Sequence, residues 1–283
     1  MIKVGTVRAL WRYPVKGMAG ESLSEVNIDE AGLAGDRRWA LRDSARAEIQ
    51  SCKQRPDLLR CTARGRDAAS SGVEVTFPDG AVLGDDDPAL DARLSALLGR
   101  ASTLEPLRPP SDIDFYRRYH GDGRWLEDLT ATFAREPGEP LPDFIEDVPP
   151  EVASFVAAPG AFFLVTPLHL VTSATLAHLR ALNPAADWDP RRFRPNIVIE
   201  TAPELAGLVE QTWIGRRLRF GAVEIDCVGT TPRCGAITRA QHGLTADASM
   251  LRTVVRDAAQ NVGVYGSTAT PGEVRTGDEV LLL

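Results

Sequence analysis

Lysine is almost absent from this chain of 283 residues: its basic residues are nearly all arginine, and the lysines are Lys3, Lys16 and Lys53. Net charge is −7 with acidic and basic residues interspersed, so no basic stripe exists to track nucleic acid or dock on an anionic membrane. Small anions remain reachable through local arginines. Cysteine is scarce too. Cys52, Cys61, Cys227 and Cys234 are too few and too scattered for a disulfide framework, none forms a C-x-x-C, and the spacing misses the ferredoxin patterns. Reduced thiols and no iron–sulfur cluster are expected.

Long apolar runs are missing as well. The longest, Ala161 to Val171, is interrupted by Thr166, Pro167 and His169, and falls short of the ~20 residues a membrane span needs. Met1 to Leu10 alternates apolar residues with Lys3, Thr6 and Arg8, unlike the continuous apolar core of a signal peptide, so a cytoplasmic protein is expected. There is no G-x-x-x-x-G-K-[ST], no H-E-x-x-H and no G-x-S-x-G, and Gly121-Asp122-Gly123 lacks the third glycine of a dinucleotide loop. His120, His169, His178 and His242 are unclustered, and Asp85-Asp86-Asp87 reads as a solvated turn.

What is present is an ordinary globular composition, 43% hydrophobic and 25% charged, in a chain long enough for two modest domains. Residues 7–13, 23–28 and 38–41 read as short strands, with Gly32 and Gly35 bracketing a turn that presents Asp36-Arg37-Arg38. Val73 to Phe77 alternates and meets a Pro78-Asp79-Gly80 turn. Leu90, Leu94, Leu97 and Leu98 define a helix stopped by Gly99. Residues 108–160 form a proline-rich connection that includes Pro137, Pro140, Pro142, Pro149 and Pro159. Order returns at Ala161 with an apolar strand, then a helix capped by Thr172, strands at 194–199, 218–220 and 223–228, a helix that Asp247 can cap through Ala259, and a terminal strand from Glu279.

The residues able to carry chemistry sit in short turns. Cys234 lies between Pro232-Arg233 and Gly235; its thiolate would be a soft metal ligand or a nucleophile, and Arg233 is expected to lower its pKa. Taken alone it reads as a small buried hydrophobe. Tyr13-Pro14-Val15-Lys16-Gly17, Asp36-Arg37-Arg38-Trp39 and Phe193-Arg194-Pro195-Asn196 add cations and amides to the set.

Together with Asn261-Val262-Gly263-Val264-Tyr265-Gly266 and Gly277-Asp278-Glu279-Val280, these ordered blocks resemble the MOSC superfamily, named for the C-terminal domain of molybdenum-cofactor sulfurase. They resemble in particular its two-part members and, among those, the amidoxime-reducing molybdenum enzymes. The resemblance implies an α+β, β-rich protein built on an antiparallel barrel with a smaller N-terminal lobe. Residues 1–107 would be the N-terminal β-barrel-like segment, of which 1–50 would pack into the C-terminal barrel, and 161–283 the MOSC domain.

It also implies a molybdenum pyranopterin cofactor: Cys234 would bind the metal, while Lys16, Arg37, Arg194 and Asn196, with Thr166 and Arg233, would hold phosphate or pterin. Guanidinium forks suit phosphate oxygens and planar edges. Pyridoxal phosphate, another anionic ligand attributed to the superfamily, enters on the same ground. Two hydroxyls common in relatives are absent, since Gly17 and Pro232 stand where serine is frequent. The function implied is an oxidoreductase for N-hydroxylated substrates. Some relatives carry a ferredoxin domain after the MOSC domain and this sequence ends at Leu283, so the electrons are expected from a separate ferredoxin- or cytochrome-type donor. The alternatives are a sulfur carrier using a Cys234 persulfide and a cofactor-binding protein without turnover.

Overall fold

The computed structural model describes residues 1–121, 123–142, 150–163 and 165–283; Asp122 and Pro149, both named above, lie outside the described residues. Its centre is a closed barrel of seven strands: β1 (Ile2–Arg12), β2 (Leu168–Thr172), β3 (Ile197–Thr201), β4 (Arg217–Phe220), β5 (Val223–Pro232), β6 (Asn261–Thr270) and β7 (Glu279–Leu282). They pair in the order β3-β2-β6-β5-β4-β7-β1, and β1 returns to β3 to close the wall. Alternation along the strands turns one face inward. Leu10, Leu170, Ile197, Ile199, Leu218, Phe220, Ile225 and Val264 are fully buried there, each such side chain contributing ~1.5–3 kcal/mol of burial free energy. An edge-free wall follows from closure.

One pairing departs from the antiparallel barrel expected from the sequence: β2 and β3 run parallel, Leu170 opposite Ile197 and Thr172 opposite Ile199. The reason is the connection. Strands joined through a helix come back in the same direction, and Ser173–Leu182 is that crossover. Its cap is Thr172, whose hydroxyl accepts the Thr175 N–H at 3.2 Å. The apolar stretch beginning at Ala161 becomes a strand only at Leu168, after Pro167, which has no N–H to offer a ladder. The last helix is Ser249–Asp257, shorter than the sequence suggests. Its N-cap is Ala248 and not Asp247; Asp247, one residue earlier, accepts the Ser249 N–H at 2.9 Å, and Ala259 and Gln260, at φ 45° and 69°, turn the chain out of the helix.

The N-terminal lobe holds two three-stranded sheets, centred on Trp39–Asp43 and Val73–Thr76, with the helix Leu90–Leu98 packed on them through Leu90 and Leu94. Gly99 ends that helix at φ 61°. A third small sheet pairs Glu25–Asp29 with Gly272–Arg275, so residues early and late in the chain share a wall. With β1 in the barrel, the N-terminal residues belong to both bodies. Lobe and barrel meet above one barrel end, where β5 carries register shifts between Cys227 and Gly229 and between Thr230 and Pro232. Bulges of this kind re-aim side chains at a barrel rim.

Glu210 is buried against β2, its carboxylate accepting the Thr172 hydroxyl at 2.6 Å and the Thr175 hydroxyl, while Oε1 has no partner. Burial raises its pKa above the ordinary 4.5. A raised carboxyl favours the fold fully below 4.5, and that contribution is lost as pH climbs through the folded value. Glu210→Gln is therefore expected to raise stability at neutral pH by ~1–3 kcal/mol, with the gain shrinking as pH falls toward 4.5. Thermal denaturation across that range checks it, and a gain independent of pH would contradict it.

Candidate functional site

A cavity of about 930 Å³ opens at the barrel end, and Lys16, Arg37, Thr166, Arg194, Asn196, Arg233 and Cys234 all stand in its wall. The local chain explains the convergence. After β1, Pro14 and a bridge between Val15 and Trp39 hold the next turn, with Lys16 N–H donating to the Trp39 carbonyl at 2.8 Å. Asp36 folds back to accept the Tyr13 N–H at 2.7 Å and pairs with Arg37. The 3₁₀ turn Pro190–Phe193 ends in Arg194 at φ 55°, which points its side chain at the lobe, where it donates to the Met18 carbonyl. Both guanidiniums meet the Tyr13 ring, Arg194 at 4.3 Å from the centroid and Arg37 at 5.6 Å. The negative face of a ring is one of the few buried partners that tolerates cations from two sides. The Tyr13 hydroxyl donates to the Pro195 carbonyl at 3.1 Å.

The electrostatics are one-sided. Lys16, Arg37, Lys53, Arg118, Arg192, Arg194 and Arg233 line the cavity, and among the described residues no carboxylate does. Asp36 and Asp187 pair with Arg37 and Arg192 from behind the wall. Burial, then the charges of Lys53 and Arg37, push the Lys16 ammonium down to about 7, although its Nζ donates to the Phe162 carbonyl at 2.7 Å. Burial likewise lowers Arg194, and Arg233 to about 10. Groups of one sign held this close in a dry wall favour a bound anion.

Cys234 follows β5 and opens the 3₁₀ turn Gly235–Thr238, half-buried at the cavity. The Arg233 guanidinium turns inward, donating to the Val262 carbonyl at 3.0 Å, to the Phe193 carbonyl at 3.1 Å and to His169 Nε2. Burial and Arg233 keep the His169 imidazole neutral, its pKa well below the usual range. Asn196 is similarly committed: its side chain accepts the His169 N–H at 3.2 Å and donates to the Trp11 carbonyl at 3.3 Å. Both side chains satisfy backbone groups that the barrel end leaves unpaired. The Thr166 hydroxyl donates to the Leu168 carbonyl at 3.2 Å. Lys16, Arg37, Arg194 and Cys234 are thus the predicted residues that present reactive or charged ends to the cavity.

Other wall residues went unnamed by the sequence. Cys52, its thiol raised by burial, and Lys53 come from the lobe, and Arg118 from the proline-rich connection. A chain with only three lysines places two of them here, and that scarcity was the available signal. Gly17 is explained by its neighbours: φ is 88°, and a Cβ would lie 3.0 Å from the Cys52 nitrogen. Beside Pro232, the Thr231 Oγ1 is buried without a partner among the described residues. Arg192 Nη1 is unpartnered as well. Orphaned donors, excess positive charge, a thiol and room for a drug-sized ligand together fit an anionic cofactor that takes a thiolate ligand.

The sequence matches the model of the MOSC domain over residues 161–281 and that of the MOSC N-terminal beta barrel domain over residues 4–95. The chain belongs to the MOSC family as a two-part member. Among solved structures it is similar to the YuaD protein from Bacillus subtilis, at 10% identity over 99% of this chain and 95% of that one, with a TM-score of 0.47. It is also similar to YiiM from Geobacillus stearothermophilus, at 13% identity over 42% of this chain and 54% of that one, TM-score 0.32. YiiM from Escherichia coli gives 14% identity over the same shares, TM-score 0.30. No curated protein matches the chain.

The Lys16 pKa has a consequence for ligand-free protein. Between about 7 and 10.5 the unfolded chain holds a proton at Lys16 that the folded chain has released, so the group's cost is greatest below 7 and fades as pH rises to 10.5. Lys16→Met is expected to stabilise the cofactor-free protein most at and below neutrality, and to lose that advantage toward pH 10.5. Melting curves at matched ionic strength test this, and an advantage that grows with pH would refute the buried-cation account.

Proposed function

We propose that the protein is a molybdenum-cofactor-dependent reductase that removes oxygen from small N-hydroxylated or similar N–O compounds, with electrons from a separate donor protein. MOSC domains are associated with molybdenum cofactor binding, and proteins of the family are often enzymes dependent on it. The observation that carries the reading is the cavity itself: Cys234 lines it together with seven cationic residues and, among the described residues, no carboxylate.

The bound cofactor would supply a metal centre able to cycle between two oxidation states during oxygen-atom removal. The chain's part is to hold it. Cys234 would provide the thiolate ligand, while Lys16, Arg37 and Arg194 would neutralise the phosphate and the Thr231 hydroxyl would donate to it. Trp125, Phe133, Phe162 and Phe163 in the same wall limit water around the reacting bond. The overall change is R–NHOH + 2 H⁺ + 2 e⁻ → R–NH₂ + H₂O, and the two electrons come from the donor. Cytoplasmic residence suits such a partner; among the described residues no helix is long and apolar enough to cross a membrane.

One observation favours a second reading, in which Cys234 carries a persulfide: Cys52 puts another thiol on the same cavity. Two assays separate the readings. Protein isolated from a host that makes the cofactor is supplied with reduced methyl viologen and N-hydroxybenzamidine. Substrate-dependent viologen oxidation is expected, falling at least about a hundredfold in Cys234→Ala, since even an outer-shell partner of a metal costs up to that much. Full activity in Cys234→Ala, or no turnover with molybdenum-loaded protein, overturns the reductase. Release of hydrosulfide from Cys234 by dithiothreitol, in protein that reduces nothing, supports the carrier.

A further inference from the structure

A smaller chamber of about 400 Å³ adjoins the main cavity, sharing Ser51, Lys53, Arg118 and Trp125 with it. Consecutive residues of the reactive turn line the two spaces, Cys234 the large cavity and Gly235 the small one. The Gly235 N–H donates to the Thr132 carbonyl at 2.8 Å, and a Cβ there would lie 2.9 Å from the Ala134 methyl.

The small chamber is also short of negative charge, though not devoid of it. Asp43 is fully engaged, accepting the Ala45 and Arg46 N–H groups at 2.9 and 3.0 Å and pairing with Arg100 at 2.9 Å. Lys53, Arg55, Arg118 and Arg239 have no carboxylate within ion-pair distance among the described residues. Arg118 is held with its guanidinium on the Ala153 and Phe155 carbonyls at 3.1 and 3.0 Å. Arg55 makes only a 3.1 Å bond to the neighbouring Gln54 carbonyl, and burial followed by the charge of Arg100 lowers its pKa. Against these four stand Glu48 and Asp128, for which no ion pair is present among the described residues; the charges of Arg118 and Arg46 act on Glu48. Burial shifts the Glu48 carboxyl toward its neutral form. Gln50, 6% exposed, donates from Nε2 to Ser102 at 2.7 Å and leaves Oε1 unpartnered in the wall.

We propose that this chamber is the substrate subsite and that it selects compounds carrying an anionic group, a carboxylate or a phosphate, held by Lys53, Arg55 and Arg239. The inference rests on the reductase reading and adds the substrate class to it. The anionic end takes up the cations that lack a carboxylate partner, and the N–O end extends toward the main cavity along Ser51, Lys53, Arg118 and Trp125, which the two spaces share. The volume suits a monocyclic acid, near the lower bound of ~300 Å³ for ligand pockets. Guanidiniums grip carboxylate or phosphate with two parallel bonds, so an uncharged analogue forfeits the main attachment.

The test is calorimetric titration of the purified protein with benzoate, phenyl phosphate and benzamide. At least one anion is expected to bind while benzamide does not, and Arg55→Gln and Arg239→Gln, each on the small chamber only, are each expected to weaken it about tenfold. The tighter of the two anions identifies the group selected. Equal binding of anion and amide, or unchanged affinity in both variants, overturns the proposal. A kinetic arm then compares N-hydroxybenzamidine with its 4-carboxy derivative. A lower KM for the carboxylated compound, lost in Arg55→Gln, supports the subsite, and equal KM values contradict it. If neither compound is reduced, the reductase reading is what fails, and the titration still decides whether the chamber is an anion site.

Discussion

Seven cationic residues line one cavity with no carboxylate in its described wall, in a chain whose net charge is −7. Like charges brought together out of water oppose folding, and here the cost is visible in Lys16, pushed down to about 7, and in the lowered Arg194. Such an arrangement persists when the surrounding fold over-determines it, and it has a use when an anion completes it. Among the described acidic residues, Asp36 and Asp187 stand behind the wall, paired with Arg37 and Arg192. Charge separation between cavity and remainder is the constraint on which the site depends.

Tyr13 is where that constraint is mechanically met. It sits immediately after β1, the strand that closes the barrel, and its ring receives Arg37 from the lobe and Arg194 from the barrel. Its N–H goes to Asp36 and its hydroxyl to the Pro195 carbonyl, so both turns are tied to one residue. Arg233 and Asn196 perform the complementary task one layer deeper, fastening β2, β6 and the Phe193 turn through backbone carbonyls and His169. The cationic ends at the cavity are backed by wall residues whose polar atoms are spent on the barrel.

The sequence made much of this legible, and the failures have physical causes. Alternation gave the strands, Thr172 gave a helix start and Gly99 a helix stop, because these are local effects. The parallel β2–β3 pair was missed because strand direction is set by the crossover, and no strand-level pattern encodes it. The residues singled out around Cys234 stand in one cavity wall. What the sequence could not distinguish was a cation aimed at the cavity from one spent on carbonyls: Arg194 and Arg233 look alike beside proline, and only the fold separates them. Cys52, Lys53 and Arg118 escaped because they come from segments with no motif, brought in by the lobe and the connection.

The central claim is that this cavity holds an anionic, thiolate-ligated metal cofactor. The most direct measurement is molybdenum and pterin content of protein made in a host competent in cofactor synthesis, compared with Cys234→Ala. Near-stoichiometric molybdenum with matching pterin fluorescence is expected, with loss of the metal in the variant. Protein free of both, from a host in which a control molybdenum reductase loads normally, would contradict it.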